Sequence, residues 1–340
     1  MSDTTPRQIP TADDVARLAG VSKSAVSRTF TPNASVSAKM RLRVEKAADA
    51  LGYRPNPLAR SLTTRRSAII GVAMAHMDQL YAPLLTRLSE RLTREGFRLL
   101  LFKSNPDHVA DDELDTILQY NVDALILASV KLSDGFAERC HRSGVPVIQI
   151  NPNQHARPLS TITVDNIAGG RMLGEFLLDG GHRAIAYMAG YAESYTSESR
   201  RRGLLDALHS AGQALHLSDR GDYGFTSGLA AARRLLSGPV LPDAIFCAND
   251  SMACATIDVA RREFGIAVGS ALSIVGFDDE PMAAWPGFSV TTYTMPLETI
   301  VDRAIDLMRR MWNDKDDTED VVVPGELVVR GSARLPPALR

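Results

Sequence analysis

Only three cysteines occur in the 340 residues, Cys140, Cys247 and Cys254, with no CxxC spacing and no His pair nearby. That pattern excludes a disulfide framework and a cysteine-based zinc site. It reads as small buried hydrophobes in a reducing compartment. No stretch approaches the roughly 18 consecutive apolar residues of a spanning helix, so no membrane partner is expected. The opening MSDTTPRQIP has no apolar core of the kind a secretory signal needs, which makes the cytoplasm the expected compartment. Catalytic signatures are missing too: there is no GxSxG, no HExxH and no P-loop GxxxxGK[ST]. We find no internal repeat and no low-complexity tract. The charged run Lys315–Asp320 reads as a solvated loop.

What is present is an ordinary globular composition, 45% hydrophobic, over a length that suits two or three domains. The net charge of −2 hides a split. Residues 1–66 hold 12 basic and 5 acidic side chains, a net of +7, and the remaining 26 basic and 35 acidic side chains give −9. A basic head on an acidic body raises nucleic acid as a partner before catalysis.

The head has a three-helix pattern. Thr11 can cap a helix Ala12–Leu18, with Asp14 placed for a capping box and Val15, Ala16 and Leu18 on one side. Gly20 supplies the turn, and Ser22 caps a second helix, Lys23–Phe30. A third, Ala38–Leu51, starts after Ser37 and ends at Gly52, with apolar residues at spacings of three and four. Ala16, Gly20 and Val26 have the spacing of a helix-turn-helix. The start of its second helix projects outward, where Lys23, Ser24 and Arg28 can meet base edges in a major groove. Thr11, Ser22, Ser35 and Ser37 sit at helix starts, where they suit phosphate contact, plain capping, or both. After Tyr53–Pro57, residues Leu58–Leu62 form a single helical turn with Asn56 as its cap, too short to persist without a partner.

From Ser67 onward, apolar runs alternate with amphipathic helices. Runs at Ala68–Ala73, Arg98–Phe102, Ala124–Ala128, Pro146–Ile150, Ala184–Met188, Ala244–Cys247 and Leu272–Val275 read as strands of a buried parallel sheet. So many elements exceed one comfortable sheet, so two lobes are expected, with crossovers near Val164–Asn166 and Thr291–Thr294. The helix Leu297–Trp312 would return to the first lobe. Ligands of open α/β sheets bind beyond the carboxyl ends of the strands. Those ends present His76, Ser104, Ser129, Asn151, Gly190, Asn249-Asp250 and Asp278-Asp279, a polar set suited to a polyhydroxylated or heteroaromatic small molecule.

The segments Ala12–Ala16, Gly20–Arg28, Leu51–Asn56 and Leu58–Leu62 resemble the headpiece and hinge of the LacI/GalR repressors. The resemblance continues collinearly through Asp123–Leu127, Val164–Asn166, Gly181–Ala186, Phe246–Asp250, Val275–Asp279 and Glu326–Ser332. It implies an all-α helix-turn-helix headpiece (1–52), a hinge helix and linker (53–66), and a two-lobed periplasmic-binding-protein-like α/β body with parallel sheets (67–340). Lobe 1 would take about 67–164 and 293–325, and lobe 2 about 165–292 and 326–340. It also implies a homodimer on a palindromic double-stranded operator. Ser27, Asn56 and Ala59 would join the DNA-contacting set, and Leu62 would wedge into the central base step of a minor groove. Arg54, Arg60, Arg65 and Arg66 flank this hinge and would add phosphate neutralisation, as steering charges rather than specific contacts. No coiled-coil heptads mark Arg330–Arg340, which favours a dimer over a tetramer.

By the same resemblance, Arg200, Asn249, Asp278 and Tyr223 take effector-contacting positions in the second lobe, and Tyr81 and Asn151 in the first. His76 stands where the family commonly has an acid. No cofactor or metal is implied. The expected function is a transcriptional repressor, not an enzyme, whose operator affinity responds to a sugar-like effector, with induction favoured over corepression. Two alternatives stay open: a sugar-binding protein without DNA function, and a corepressed regulator sensing a nucleobase. A two-lobed enzyme with Asp250 or Asp278 as acid/base lacks any positioned nucleophile. Trp285 could face a dimer mate or the cleft rim.

Overall fold

A computed structural model describes residues 10–31, 34–54, 66–74, 79–104, 111–152 and 159–339. They form two compact units that part at Ser67–Ala68, and each is taken by itself.

The first unit is three helices: α1 (Ala12–Ala19), α2 (Lys23–Thr29) and α3 (Ala38–Leu51). Thr11 and Asp14 close the capping box: the Asp14 amide donates to Thr11 Oγ1 (3.3 Å) and the Thr11 amide to Asp14 Oδ2 (2.9 Å). Gly20 adopts φ 60°, the left-handed turn that the pattern requires. Val15, Val26 and Val44 are fully buried at the centre. Leu18, expected on the inner face, is 57% exposed, because the helix runs one residue further and turns Ala19 inward instead. Two of the unit's cations serve it internally. Arg41 Nη1 donates to the Thr29 carbonyl (2.9 Å), and Arg43 Nη2 to the carbonyls of Ala19 and Gly20, covering the open ends of α2 and α1.

The second unit carries two parallel sheets. Strands β1 (Ile69–Met74), β2 (Arg98–Lys103), β3 (Ala124–Ala128), β4 (Val147–Ile150), β5 (Ser160–Val164) and β11 (Asp320–Val323) form the first, in the order β11-β5-β4-β3-β1-β2. Strands β6 (Ile185–Ala189), β7 (Leu217–Arg220), β8 (Ala244–Cys247) and β9 (Ser273–Val275) form the second, in the order β7-β6-β8-β9. A two-residue antiparallel pair joins β10 (Thr292–Tyr293) to β12 (Leu327–Val328). The inner strands β3, β4, β6 and β8 are buried almost throughout, as parallel strands covered on both faces must be.

Helices α4 (Tyr81–Arg94), α5 (Asp111–Leu118) and α6 (Asp134–Ser143) flank the first sheet in sequence, and α11 (Leu297–Asn313) returns to it. The stripe of α11 running from Ile300 to Met311 packs in one cluster with β1, β3, β4 and β5. Helices α7 (Asn166–Asp179), α8 (Tyr195–Ser210), α9 (Phe225–Leu236) and α10 (Asp250–Arg262) belong to the second lobe. The chain leaves the first sheet at Asp165, which caps α7 by accepting from the Ala168 amide (2.9 Å).

Several elements escape the sequence reading, among them the inner strand β5 and the short pair β10 and β12. The polar α6 buries only Phe136, Ala137 and Cys140. The sheet-edge strand β7 lacks an apolar run, and β11 has one of only three valines after Asp320, the last residue of the expected loop, whose Oδ1 accepts from Thr161 Oγ1 (2.7 Å). The three cysteines are buried thiols, and burial pushes Cys140 and Cys247 up to about 12, far from thiolate reactivity at neutral pH.

One packing contact positions the site. Helices α7 and α8 meet through glycines: a Cβ on Gly203 would lie 2.1 Å from the Ile167 carbonyl oxygen, and one on Gly170 would lie 2.1 Å from that of Arg200. No side chain fits between these backbones. We predict that Gly203→Ala forces the helices apart and destabilises the second unit by about 1–3 kcal/mol in urea unfolding. A loss within about 0.5 kcal/mol would contradict the close approach.

Candidate functional site

The strand ends of both lobes converge on a cleft of about 520 Å³, counted out to its open mouth. Tyr81, Ser129 and Asn151 line it from the first lobe, and Arg200, Tyr223, Asn249 and Asp278 from the second. His76 lies outside the described residues. Ser104 is buried elsewhere, and Asp279 turns away to pair with Arg330 (2.7 Å).

At its base is a buried ion pair. Arg200 and Asp278 face each other in a fork, Nη2–Oδ1 at 2.8 Å and Nη1–Oδ2 at 3.2 Å, with both side chains at least 96% buried. Arg200 also donates through Nε to Asn166 Oδ1 (2.8 Å) and through Nη1 to the Ala248 carbonyl. Its guanidinium lies 3.7 Å from the centre of the Phe277 ring. Burial opposes its charge, and the Asp278 carboxylate more than restores it, so the guanidinium is held charged.

The aromatic wall depends on a missing side chain. A Cβ on Gly190 would lie 2.2 Å from the Tyr223 ring, so only glycine lets that ring lie against the strand end. The Tyr223 hydroxyl meets Ser194 Oγ (2.8 Å) and Thr196 Oγ1 (2.9 Å), and Tyr191 stands edge-on to its ring. Opposite, the Tyr81 and Ser129 hydroxyls share a hydrogen bond. Asn249 caps α10 by accepting from the Met252 amide (3.1 Å), and its Nδ2 donates to the Tyr223 carbonyl (3.1 Å). It therefore holds the strand-end turn while lining the cleft. Lys131 Nζ and Glu193 Oε2 come within 3.6 Å, linking a loop after β3 to one after β6.

Sequence reasoning missed Leu80, Tyr191, Ser194, Thr196 and Glu280 in the lining. Ser194 and Thr196 belong to the cap and first turn of α8, one helical turn ahead of Arg200, and that periodicity was the available signal. The cleft also concentrates backbone strain. Ser129 (φ 53°), Asn151 (φ 50°), Tyr223 (φ 60°) and Asp278 (φ 100°) all sit in the left-handed region. Such conformations cost energy and cluster at functional sites.

Behind the cleft, Asp250 is fully buried. Burial, and then the charge of Glu280, push its carboxyl well above the usual carboxylate range. A Cβ on Gly276 would meet Asp250 Oδ1 at 2.0 Å.

On the first unit, α2 divides cleanly. Ala25, Val26 and Thr29 are buried, and Lys23, Ser24, Ser27 and Arg28 are exposed together on the other face. Lys23 Nζ lies 2.8 Å from Asp13 Oδ2, an exposed pair of small energetic weight. Ser22 and Ser37 cap α2 and α3, and Ser35 is exposed between those helices. Asn56, Ala59 and Leu62 lie outside the described residues.

Comparisons with known proteins decide the family. Residues 11–56 match the bacterial regulatory proteins of the lacI family, and residues 174–333 match a periplasmic binding protein-like domain. The chain is 31% identical to the HTH-type transcriptional regulator CelR of Thermobifida fusca, over 96% of this chain and 99% of that protein. This chain belongs to the LacI family. It is also 30% identical to the ribose operon repressor of Escherichia coli (strain K12), over 95% of this chain and 99% of that one. The lac repressor dimer bound to operator and an anti-inducer superposes with a TM-score of 0.85 at 26% identity, covering 96% of this chain and all of the other. A CelR–cellobiose complex superposes with a TM-score of 0.70 at 29% identity, covering 95% and 99%. As a LacI-family member the protein is a DNA-binding transcriptional regulator.

Two outcomes follow from the buried charges. Asp278→Ala leaves the Arg200 guanidinium buried without its carboxylate, so it should cost about 3–5 kcal/mol in urea unfolding, and a loss below about 1 kcal/mol would contradict the pair's burial. Asp250 holds its proton in the folded chain at pH values where the unfolded chain has released it. Wild-type stability should therefore fall as pH rises above the ordinary carboxylate range. Asp250→Asn should abolish that decline, so its Tm advantage over wild type should grow from about pH 5 to about pH 8. A Tm difference that stays constant with pH would rule this out.

Proposed function

We propose that this LacI-family regulator is a homodimeric repressor whose affinity for a palindromic operator is lowered by a small hydroxylated molecule bound between its lobes. The observation that carries this reading is the convergence of polar side chains from both lobes on one cleft. A molecule touching Tyr81, Ser129 and Asn151 on one side and Arg200, Tyr223, Asn249 and Asp278 on the other has a binding energy that depends on how the lobes face each other. It therefore shifts their orientation, and whatever orientation controls must shift with it. Aromatic faces beside hydroxyl, amide and guanidinium groups suit the C–H and O–H surfaces of a carbohydrate. The CelR–cellobiose complex and the ribose operon repressor support the same ligand class.

In this reading α2 enters the major groove. Lys23, Ser24, Ser27 and Arg28 reach base edges, and Thr11, Ser22, Ser35 and Ser37 approach phosphates from the helix starts. Asn56, Ala59 and Leu62 form a hinge turn completed by DNA and the second protomer. The protein works in the cytoplasm, without catalysis and without a cofactor. The net −9 of residues 67–340 disfavours adventitious DNA contact by the body and leaves binding to the head.

Gel shifts on the gene's own upstream region test this reading. We expect retarded DNA that is released on adding an effector found by thermal-shift screening of sugars and nucleobases. Absence of retardation at every salt concentration would refute the repressor reading. In the same assay Arg28→Ala should weaken specific binding by about 1–3 kcal/mol and relax preference at one base pair. An equal loss on random DNA would reassign Arg28 to a phosphate.

A further inference from the structure

We infer that Asp13 sets the DNA selectivity of the head: its carboxylate holds the Lys23 ammonium for base edges and withholds it from phosphates. This rests on the reading that α2 enters the major groove with Lys23 among its contacts.

Lys23 is the first residue of α2, and Asp13 is the second of α1. Lys23 Nζ donates to Asp13 Oδ2 at 2.8 Å, so the pair ties the starts of the two helices together. Both side chains stay more than half exposed, within reach of a partner in solution. Helix stability does not explain the lysine. A cation in the first turn opposes the positive end of the helix dipole, and α2 has no acid of its own there. Asp13 supplies the missing negative charge from the neighbouring helix. Among the described acids of the head, it is the one bonded to the outward face of α2. Asp14 turns back into the capping box and pairs with Arg17, and Glu45 and Asp49 lie on α3.

An ammonium has three N–H donors. One committed to Asp13 leaves two for the O6 and N7 acceptors of a guanine edge, so base contact and the ion pair coexist. Phosphate contact does not combine with the pair in this way. It either brings the Asp13 carboxylate up to a second anion, or breaks the pair and leaves that carboxylate beside the DNA backbone. Both arrangements set like charges together. Every sequence offers phosphates, whereas only some offer guanine at the right step. The cost therefore falls on non-specific complexes and spares the specific one, which is selectivity through a repulsive element. A head with a neutral residue at position 13 would release Lys23 to the backbone of any sequence, gaining affinity without sequence information.

The test uses the full-length chain on two duplexes of equal length: one selected by the wild-type protein from a random-sequence pool, and one with the same bases shuffled. Anisotropy across a salt series gives the affinity and its salt slope on each. Lys23→Ala should weaken binding to the selected duplex and leave the salt slope on the shuffled one unchanged, because phosphates never held that charge. A slope shallower by about 0.9 per head would place Lys23 on a phosphate and overturn the inference, whether or not a variant at position 13 folds. Asp13→Asn, confirmed folded by its melting curve, should bind the shuffled duplex at least about 3-fold tighter, with a slope steeper by about 0.9 per head. Its preference for the selected duplex should fall accordingly. An unchanged preference in the folded Asp13→Asn protein would overturn the inference as well. A wild-type protein that selects no sequence, or a Lys23→Ala protein unchanged on the selected duplex, would instead remove the groove reading of Lys23, and the inference with it.

Discussion

A guanidinium facing a carboxylate, both shut away from water, is the constraint on which the second lobe's half of the cleft depends. A buried ion pair of this kind adds little net stability compared with an apolar core, because desolvation offsets most of its attraction. Its value is geometric. Once Arg200 is buried, its donors need partners in fixed directions, and Asp278, Asn166 and Ala248 supply them from three different segments. The pair thereby joins the end of β9, the start of α7 and the end of β8. Glycines 170 and 203 let α7 and α8 approach closely enough for the arginine to reach across.

Around this anchor, the cleft is built from residues held in costly conformations. Left-handed Ser129, Asn151, Tyr223 and Asp278 are kept in place by apolar strands that tolerate no displacement. A ligand spanning both lobes acts on a surface organised in advance on each side, so the degree of freedom it meets is the angle between the lobes. The three-helix head is built differently. Its core is small, and capping hydrogen bonds and two inward-serving arginines supplement it, which frees the outer face of α2 for recognition.

Inner strands β1, β3, β4, β6 and β8 were legible as apolar runs, because parallel strands covered on both faces carry few polar positions, whereas the inner strand β5 was missed because Ser160, Thr161 and Thr163 break its run. Reading the residue after each run then recovered Ser129, Asn151, Asn249 and Asp278 in the lining. Arg200 and Tyr223 came from resemblance, since nothing in Arg200-Arg201-Arg202 alone says which arginine turns inward. Edge strand β7 was missed because a half-exposed strand carries charges like any loop, and β11 because its run of three valines is short and follows a charged loop. Glu280 was hidden for a related reason. Asp278, Asp279 and Glu280 look alike in sequence, yet the first and third point into the cleft and the second pairs with Arg330. That division is set by the left-handed turn at Asp278–Asp279, which local pattern does not reveal.

The account's central claim is that occupancy of the cleft and affinity for DNA are one linked equilibrium. Fluorescence anisotropy of a labelled operator, titrated with the full-length protein at fixed salt across a series of effector concentrations, measures that linkage directly. The account predicts that saturating effector weakens operator binding at least about 10-fold, and that operator weakens effector binding by the same factor. Operator affinity that stays constant while the cleft fills would contradict it.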